Sequence, residues 1–225
     1  MAKAGKVSSA LFPNPFEKRD ERPCGILPER QYFLIVCEGK KTETYYFESI
    51  KRILPHHMVN QITITGTGKN TLSLVNHAQN EVDKRRKSGS PPYDSIWVVF
   101  DRDSFNADDF DNAIFSIEKK SSKTERWMAA WSNEAFEIWF IMHFRDQTGA
   151  PLSRKVYKKV LTKEIGRSYK KNAKDMFAIL KPHLKEAIKR AKTSLRLQSD
   201  KPFHDKNPAT TVHILVEELL KYIGG

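Results

Sequence analysis

Two apolar runs interrupt an otherwise mixed chain. Tyr32-Phe33-Leu34-Ile35-Val36-Cys37 and Ser95-Ile96-Trp97-Val98-Val99-Phe100 are rich in aromatic and branched side chains. Hydrophobicity that is continuous rather than alternating predicts strands buried on both faces. Weaker β-rich runs lie at 62–65, closed by Gly66-Thr67-Gly68, and at 127–131. Between these runs the apolar spacing changes to three and four, which predicts helices. The first covers 42–54, with Thr42 as cap, Tyr45, Tyr46, Ile50 and Ile53 as apolar positions, and Pro55 as its stop. The second covers about 71–87 on a stripe of Leu72, Val75, Ala78 and Val82; a third carries Phe110, Ile114, Phe115 and Ile117; Ser132-Asn133 would cap a fourth at 134–144. Four short-linked alternations of strand and helix predict an α/β fold with a mainly parallel, four-stranded sheet flanked by helices.

Beyond Gly149-Ala150-Pro151 the spacing is helical throughout, near 153–165, 173–180 and 182–195. Asn207-Pro208 reads as a cap followed by a first-turn proline, opening a last helix through Val212, Leu215, Val216 and Leu219. Residues 1–29 hold four prolines and no periodicity. The expected organisation is a flexible arm at 1–29, an α/β domain at 30–148, and a helical region at 149–225 packed on the same domain.

Charge sharpens this division. The chain of 225 residues carries a net charge of +12. Residues 30–147 hold sixteen basic and sixteen acidic side chains, whereas 151–206 hold seventeen basic and five acidic. A basic block beside a neutral one reads as a substrate-holding element beside a chemical one, with a polyanion as the partner. Solvated lysine-rich helix faces are the plainer alternative. The longest apolar runs are far below the roughly 20 residues of a membrane helix, and no signal-length apolar stretch opens the chain. Two cysteines exclude a disulfide scaffold and a four-Cys zinc site. A cytoplasmic protein without membrane contact is expected.

Active sites in open parallel sheets lie at the carboxyl ends of the strands. Those ends read Glu38-Gly39, Gly66-Thr67-Gly68, Asp101-Arg102-Asp103 and Ser132-Asn133. Acid at the end of a buried strand is costly unless it is paired, and several carboxylates together are tolerated around a hard cation. The two-residue spacing of Asp101 and Asp103 directs both to one side of an extended chain, with Arg102 on the other. Glu38, Asp101 and Asp103 are therefore candidate ligands for Mg²⁺, with Mn²⁺ as the substitute. Glu38 acts either as a ligand or as a base or acid through water, and Gly39 would leave room beside it for a phosphate or a metal-bound water. Glu137, set among Phe136, Ile138, Trp139 and Phe140, is a candidate outer ligand or general base. Glu43 reads as a first-turn helix acid, Glu134 as an acid favoured by the helix dipole, and Asn133 as a cap. Lys40 and Lys41 are candidate phosphate contacts, and Arg102 contacts phosphate or pairs with an acid. In the basic block Arg154, Lys158, Lys170 and Lys171 are the candidate nucleic-acid contacts. Gly66-Thr67-Gly68-Lys69 lacks full phosphate-loop spacing and reads as a turn. His143 and His183 lack a second ligand at metal spacing and read as ordinary histidines.

Four segments in order carry a resemblance: Leu34-Ile35-Val36-Cys37-Glu38-Gly39-Lys40-Lys41-Thr42-Glu43 with Tyr46-Phe47; Phe100-Asp101-Arg102-Asp103; Ser132-Asn133-Glu134-Ala135-Phe136-Glu137-Ile138-Trp139-Phe140 with His143-Phe144; and Asn207-Pro208-Ala209-Thr210-Thr211-Val212. The sequence resembles the Toprim superfamily of topoisomerases, primases and OLD-type nucleases, and more closely the RloB-like proteins of prokaryotes. The resemblance implies a Toprim-like fold and a Mg²⁺-dependent nuclease, similar to partners of ATPases in phage-defence loci. Glu38, Asp101 and Asp103 match the Toprim acids, and Glu137 and Asn133 match RloB-type positions. The chain has no zinc-ligand cluster, unlike bacterial primases, and is too short for a topoisomerase. The expectation is a metal-dependent endonuclease acting on DNA or RNA with an ATPase partner, with a homo-oligomer as a further expected assembly. The alternatives are an RNA-directed Toprim ribonuclease and a non-catalytic nucleic-acid-binding subunit.

Overall fold

A computed structural model describes residues 31–59, 61–68, 71–102, 106–147 and 152–223. The arm expected at 1–29 lies outside the described residues, as do Lys69 and Asp103. The chain runs β1 (Phe33–Cys37), α1 (Thr42–Lys51), α2 (His56–Val59), β2 (Ile62–Gly66), α3 (Thr71–Lys87), β3 (Ser95–Asp101), α4 (Ala107–Lys120), β4 (Arg126–Asn133) and α5 (Glu137–Met142). It continues through α6 (Arg154–Glu164), α7 (Met176–Leu180), α8 (Leu184–Leu197), β5 (Ala209–Thr210) and α9 (Val212–Leu220).

The fold is α/β, with strand order β2-β1-β3-β4-β5. The first four strands are parallel and β5 is antiparallel to β4. Every residue of β1 and β3 is buried, as their unbroken hydrophobicity requires. Alternation sorts them between two cores. Phe33, Ile35, Cys37, Trp97 and Val99 face α1, α5 and the C-terminal helices. Leu34, Val36, Ile96, Val98 and Phe100 face α3 and α4. No described helix is long and apolar enough to cross a membrane.

Among the described residues the sheet has five strands, not four. Ala209 and Thr210 pair with Asn133 and Ser132, and a two-residue strand leaves no periodicity to read. Asn207-Pro208 therefore does not open a helix; α9 starts at Val212. The segment clamps the sheet edge to α8 instead. The Pro208 carbonyl accepts from Ser194 Oγ and from Gln198 Nε2, and Thr210 Oγ1 donates to the Trp131 carbonyl at 3.1 Å. Ser132-Asn133 does not cap α5 either. Asn133 Nδ2 donates to the His204 carbonyl (2.8 Å), Ser132 Oγ meets Thr210 Oγ1 (3.0 Å), and α5 begins only at Glu137. In α1 the inward positions are Glu43, Tyr46, Phe47 and Ile50; the helix ends at Lys51, so Ile53 lies beyond it and is 39% exposed, and in α4 Phe115 is 50% exposed. Trp97, Trp127, Trp131 and Trp139 are all buried, as expected.

Candidate active site

From β1 the chain first moves to β2 on one side and then crosses to β3 on the other. The sheet order reverses between β1 and β3, where open α/β sheets form their binding crevice. Glu38 follows β1 and Asp101 closes β3, so both sit at this point. One Glu38 carboxylate oxygen accepts the Asp101 backbone N–H at 3.1 Å. Asp101 follows Trp97 and Val99 in the alternation and so faces the α1 and α5 side. The Phe136 backbone N–H favours its ionised form, yet Oδ1 is buried with no hydrogen-bond partner among the described residues.

Two further acids close in from the helices. Glu43 heads the buried stripe of α1 at 6% exposure and lies against Gly39; a Cβ on Gly39 would stand 2.0 Å from Glu43 Oε2. The room expected beside Gly39 for a phosphate or water is thus filled by Glu43, and the glycine is needed for that approach. Glu137, in the first turn of α5, is 5% exposed. Its Oε1 accepts from Tyr169 Oη (3.2 Å) and faces Lys171 Nζ at 3.5 Å.

These carboxylates raise one another's proton affinity. Burial, then Glu43, Glu137 and Glu38, push the Asp101 carboxyl well above the usual carboxylate range. Burial, then Glu137 and Glu38, push Glu43 up to about 7, partly offset by Lys171. Glu38 is raised by burial and held back by the Asp101 N–H and by Arg154. Lys171 and Arg154 offset only part of this negative charge, and an oxygen-only donor set with an orphaned buried carboxylate oxygen suits a hard divalent cation. Among the described residues no three His, Cys, Asp or Glu side chains are set to hold a metal ion. The third expected ligand, Asp103, lies outside them.

Three cavities adjoin. One of about 300 Å³ is lined by Glu38, Lys40, Lys41, Glu43, Asp101, Arg154 and Lys171, among others. The next, about 340 Å³, shares Arg154 and Lys171 and adds Glu137, Tyr157, Lys158, Tyr169 and Lys170. A third, about 420 Å³, shares Lys170 and reaches Arg167, Ser168 and Asn172. The loop carrying Lys170 and Lys171 is fastened to α1, where Thr42 Oγ1 donates to the Lys171 carbonyl (3.2 Å) and Ser49 Oγ to that of Lys174 (2.9 Å).

The structure therefore gathers Glu38, Asp101, Glu137, Lys40, Lys41, Arg154, Lys158, Lys170 and Lys171 around joined cavities. Arg102 lines none of the three; its backbone N–H donates to the Ser132 carbonyl (2.8 Å) and its Nε is buried. Glu134 serves a neighbouring helix, accepting the Arg154 backbone N–H at 3.0 Å at the start of α6. Gly66-Thr67-Gly68 is a turn; Gly68 N–H donates to the Glu38 carbonyl at 2.7 Å. His143 is a core residue, hydrogen-bonded through Nδ1 to the Trp139 carbonyl (2.8 Å), and burial lowers it to about 3. Glu43, Tyr157 and Tyr169 are the site residues that sequence reading missed. The signal for Glu43 was its spacing to Tyr46, Phe47 and Ile50, which sets a charge on the apolar stripe.

A protein-family model described as RloB-like protein matches residues 33–219. No curated protein and no solved structure matches the chain.

Proposed function

The chain belongs to the RloB-like protein family, and from that premise we propose that it is a Toprim-type, divalent-metal-dependent endonuclease, the nuclease component of an ATPase-linked anti-phage system. One observation carries the chemistry. A buried Asp101 carboxylate with an orphaned oxygen sits beside Glu38 at the sheet's switch point, next to cavities ringed by cations. Glu38 and Asp101, with Asp103, would hold Mg²⁺ or Mn²⁺. Bound there, the metal supplies charge stabilisation at the phosphate and a more acidic water.

The chain's own groups do the rest. Arg154 and Lys171 line both the acid cavity and its neighbour, so they would hold the phosphate that lies between. Glu43, buried against Gly39 beside these acids, would hold a proton when no metal is bound. Lys171 and Tyr169 fix the Glu137 carboxylate. Cleavage is read with end-labelled duplex DNA, single-stranded DNA and RNA, using wild type and Asp101→Ala in Mg²⁺, Mn²⁺ and EDTA. The expected result is cleavage by wild type alone, lost in EDTA, with Asp101→Ala still folded. Full activity of Asp101→Ala overturns the site. Binding without turnover, with and without the ATPase partner, favours a non-catalytic subunit.

A further inference from the structure

The joined cavities also bear on the form of the substrate. We infer that this site takes an unpaired single strand, the tyrosine cavity receiving the nucleotide next to the scissile phosphate; the inference rests on the nuclease reading only in placing that phosphate at the acids.

Size is the first reason. The cavities hold about 300, 340 and 420 Å³, the small end of the ~300–1,000 Å³ range of ligand pockets. Each suits one nucleotide. A duplex keeps its bases stacked inside the helix and offers nothing that can enter, whereas an unstacked strand offers each base separately.

Connection is the second reason. The acid cavity and the tyrosine cavity share Arg154 and Lys171, and the tyrosine cavity and the third share Lys170. A strand whose phosphate lies between Arg154 and Lys171 has its next nucleotide in the tyrosine cavity and its next phosphate at Lys170. Lys40, Lys41, Lys158 and Lys170 are exposed. None of the four forms an ion pair among the described residues, so their charge is available to phosphate.

The walls are the third reason. Tyr157 and Tyr169 border the middle cavity between the cations. Each is at most 3% exposed, so the two rings form a firm apolar wall between cationic groups rather than an open stacking face. The Tyr157 hydroxyl is buried beside the Glu134 backbone. Its neighbour Tyr169 already donates to Glu137.

The test is binding by fluorescence anisotropy in EDTA, so that no turnover is needed. Labelled single strands, as DNA and as RNA, are compared with blunt duplexes of the same sequence, using the full chain. Single strands are expected to bind at least tenfold more tightly than duplex, and the tighter of the two names the sugar. Lys158→Glu/Lys170→Glu is expected to weaken single-strand binding at least tenfold. It should also flatten the salt dependence by about 1.4 in log–log slope, two contacts at roughly 0.7 each. Lys87→Glu/Lys119→Glu, an equal charge change on α3 and α4 behind the sheet, should change affinity less than twofold. Equal or tighter duplex binding, no binding of any oligonucleotide, or equal effects of the two double variants overturns the inference. Single-strand preference with no cleavage in Mg²⁺ or Mn²⁺, with or without the ATPase partner, leaves the strand path standing and removes the nuclease reading. Cleavage without single-strand preference does the reverse.

Discussion

Glu43→Gln should stabilise the metal-free protein. Glu43 is 6% exposed and its carboxyl is raised from 4.5 to about 7 by burial and by Glu137 and Glu38. The folded chain therefore holds this proton more tightly than the unfolded chain. Stability falls as pH rises from 4.5 to 7, and the full penalty is present above 7. At 1.36 kcal/mol per unit this amounts to about 3 kcal/mol. Glutamine keeps the shape that fits over Gly39 and removes the charge. The variant should match wild type at pH 4 and exceed it by about 3 kcal/mol at pH 8, a rise of about 6–12 °C in Tm for a chain of this size. Guanidinium denaturation in EDTA at both pH values reads the difference, provided m is unchanged. An equal gain at both pH values, or a loss at pH 8, would refute the argument, because only the ionised form is penalised.

Other outcomes follow from the same geometry. Gly39→Ala places a Cβ 2.0 Å from Glu43 Oε2 and must displace that carboxylate; stability should then lose the part of its slope between pH 4.5 and 7 that Glu43 supplies, the part from Asp101 remaining, and an unchanged slope sinks the prediction. Titrating Mn²⁺ at pH 8 should raise the wild-type Tm and leave Asp101→Asn unmoved, and equal shifts in both would place the ion elsewhere. Tyr46→Phe leaves the buried Trp139 Nε1–H, which donates to Tyr46 Oη at 2.8 Å, without a partner. It should cost about 1–3 kcal/mol, with a Tyr46→Phe/Trp139→Phe cycle showing coupling; strict additivity would contradict it. His143 is depressed to about 3, so it supports the fold above pH 6.5 and loses that contribution as pH falls toward 3. Its ring should show one bound proton by NMR at pH 5, and a doubly protonated ring there would overturn the assignment.

The parts legible in the sequence were those with long or costly signals. The β1 and β3 runs are apolar without interruption, so their burial was readable, and an acid at the end of each was conspicuous because a buried charge is expensive. Parts built from two or four residues were not legible: β5 and α2 are too short for a period. Asn207-Pro208 and Ser132-Asn133 carry good capping residues, yet their polar groups answer partners about 70–80 residues away. Local preference cannot report that. Glu43 was hidden by an acceptable local explanation, since an acid in a first turn suits the helix dipole. Only the burial of its stripe shows that it faces the other acids.

The edge strand β5 has a consequence for how the protein is made. Thr210 meets Ser132 across 78 residues. At 5–20 residues per second a ribosome takes roughly 4–16 s to cover that interval. The four parallel strands and their acids leave the tunnel first, with the β4 edge bare. Arg154, Lys170 and Lys171 follow, and the strand that seals the edge comes last. A growing chain thus presents Glu38, Asp101 and Glu137 with only Lys40 and Lys41 beside them, and the cavities they line are closed later by Arg154, Lys170 and Lys171.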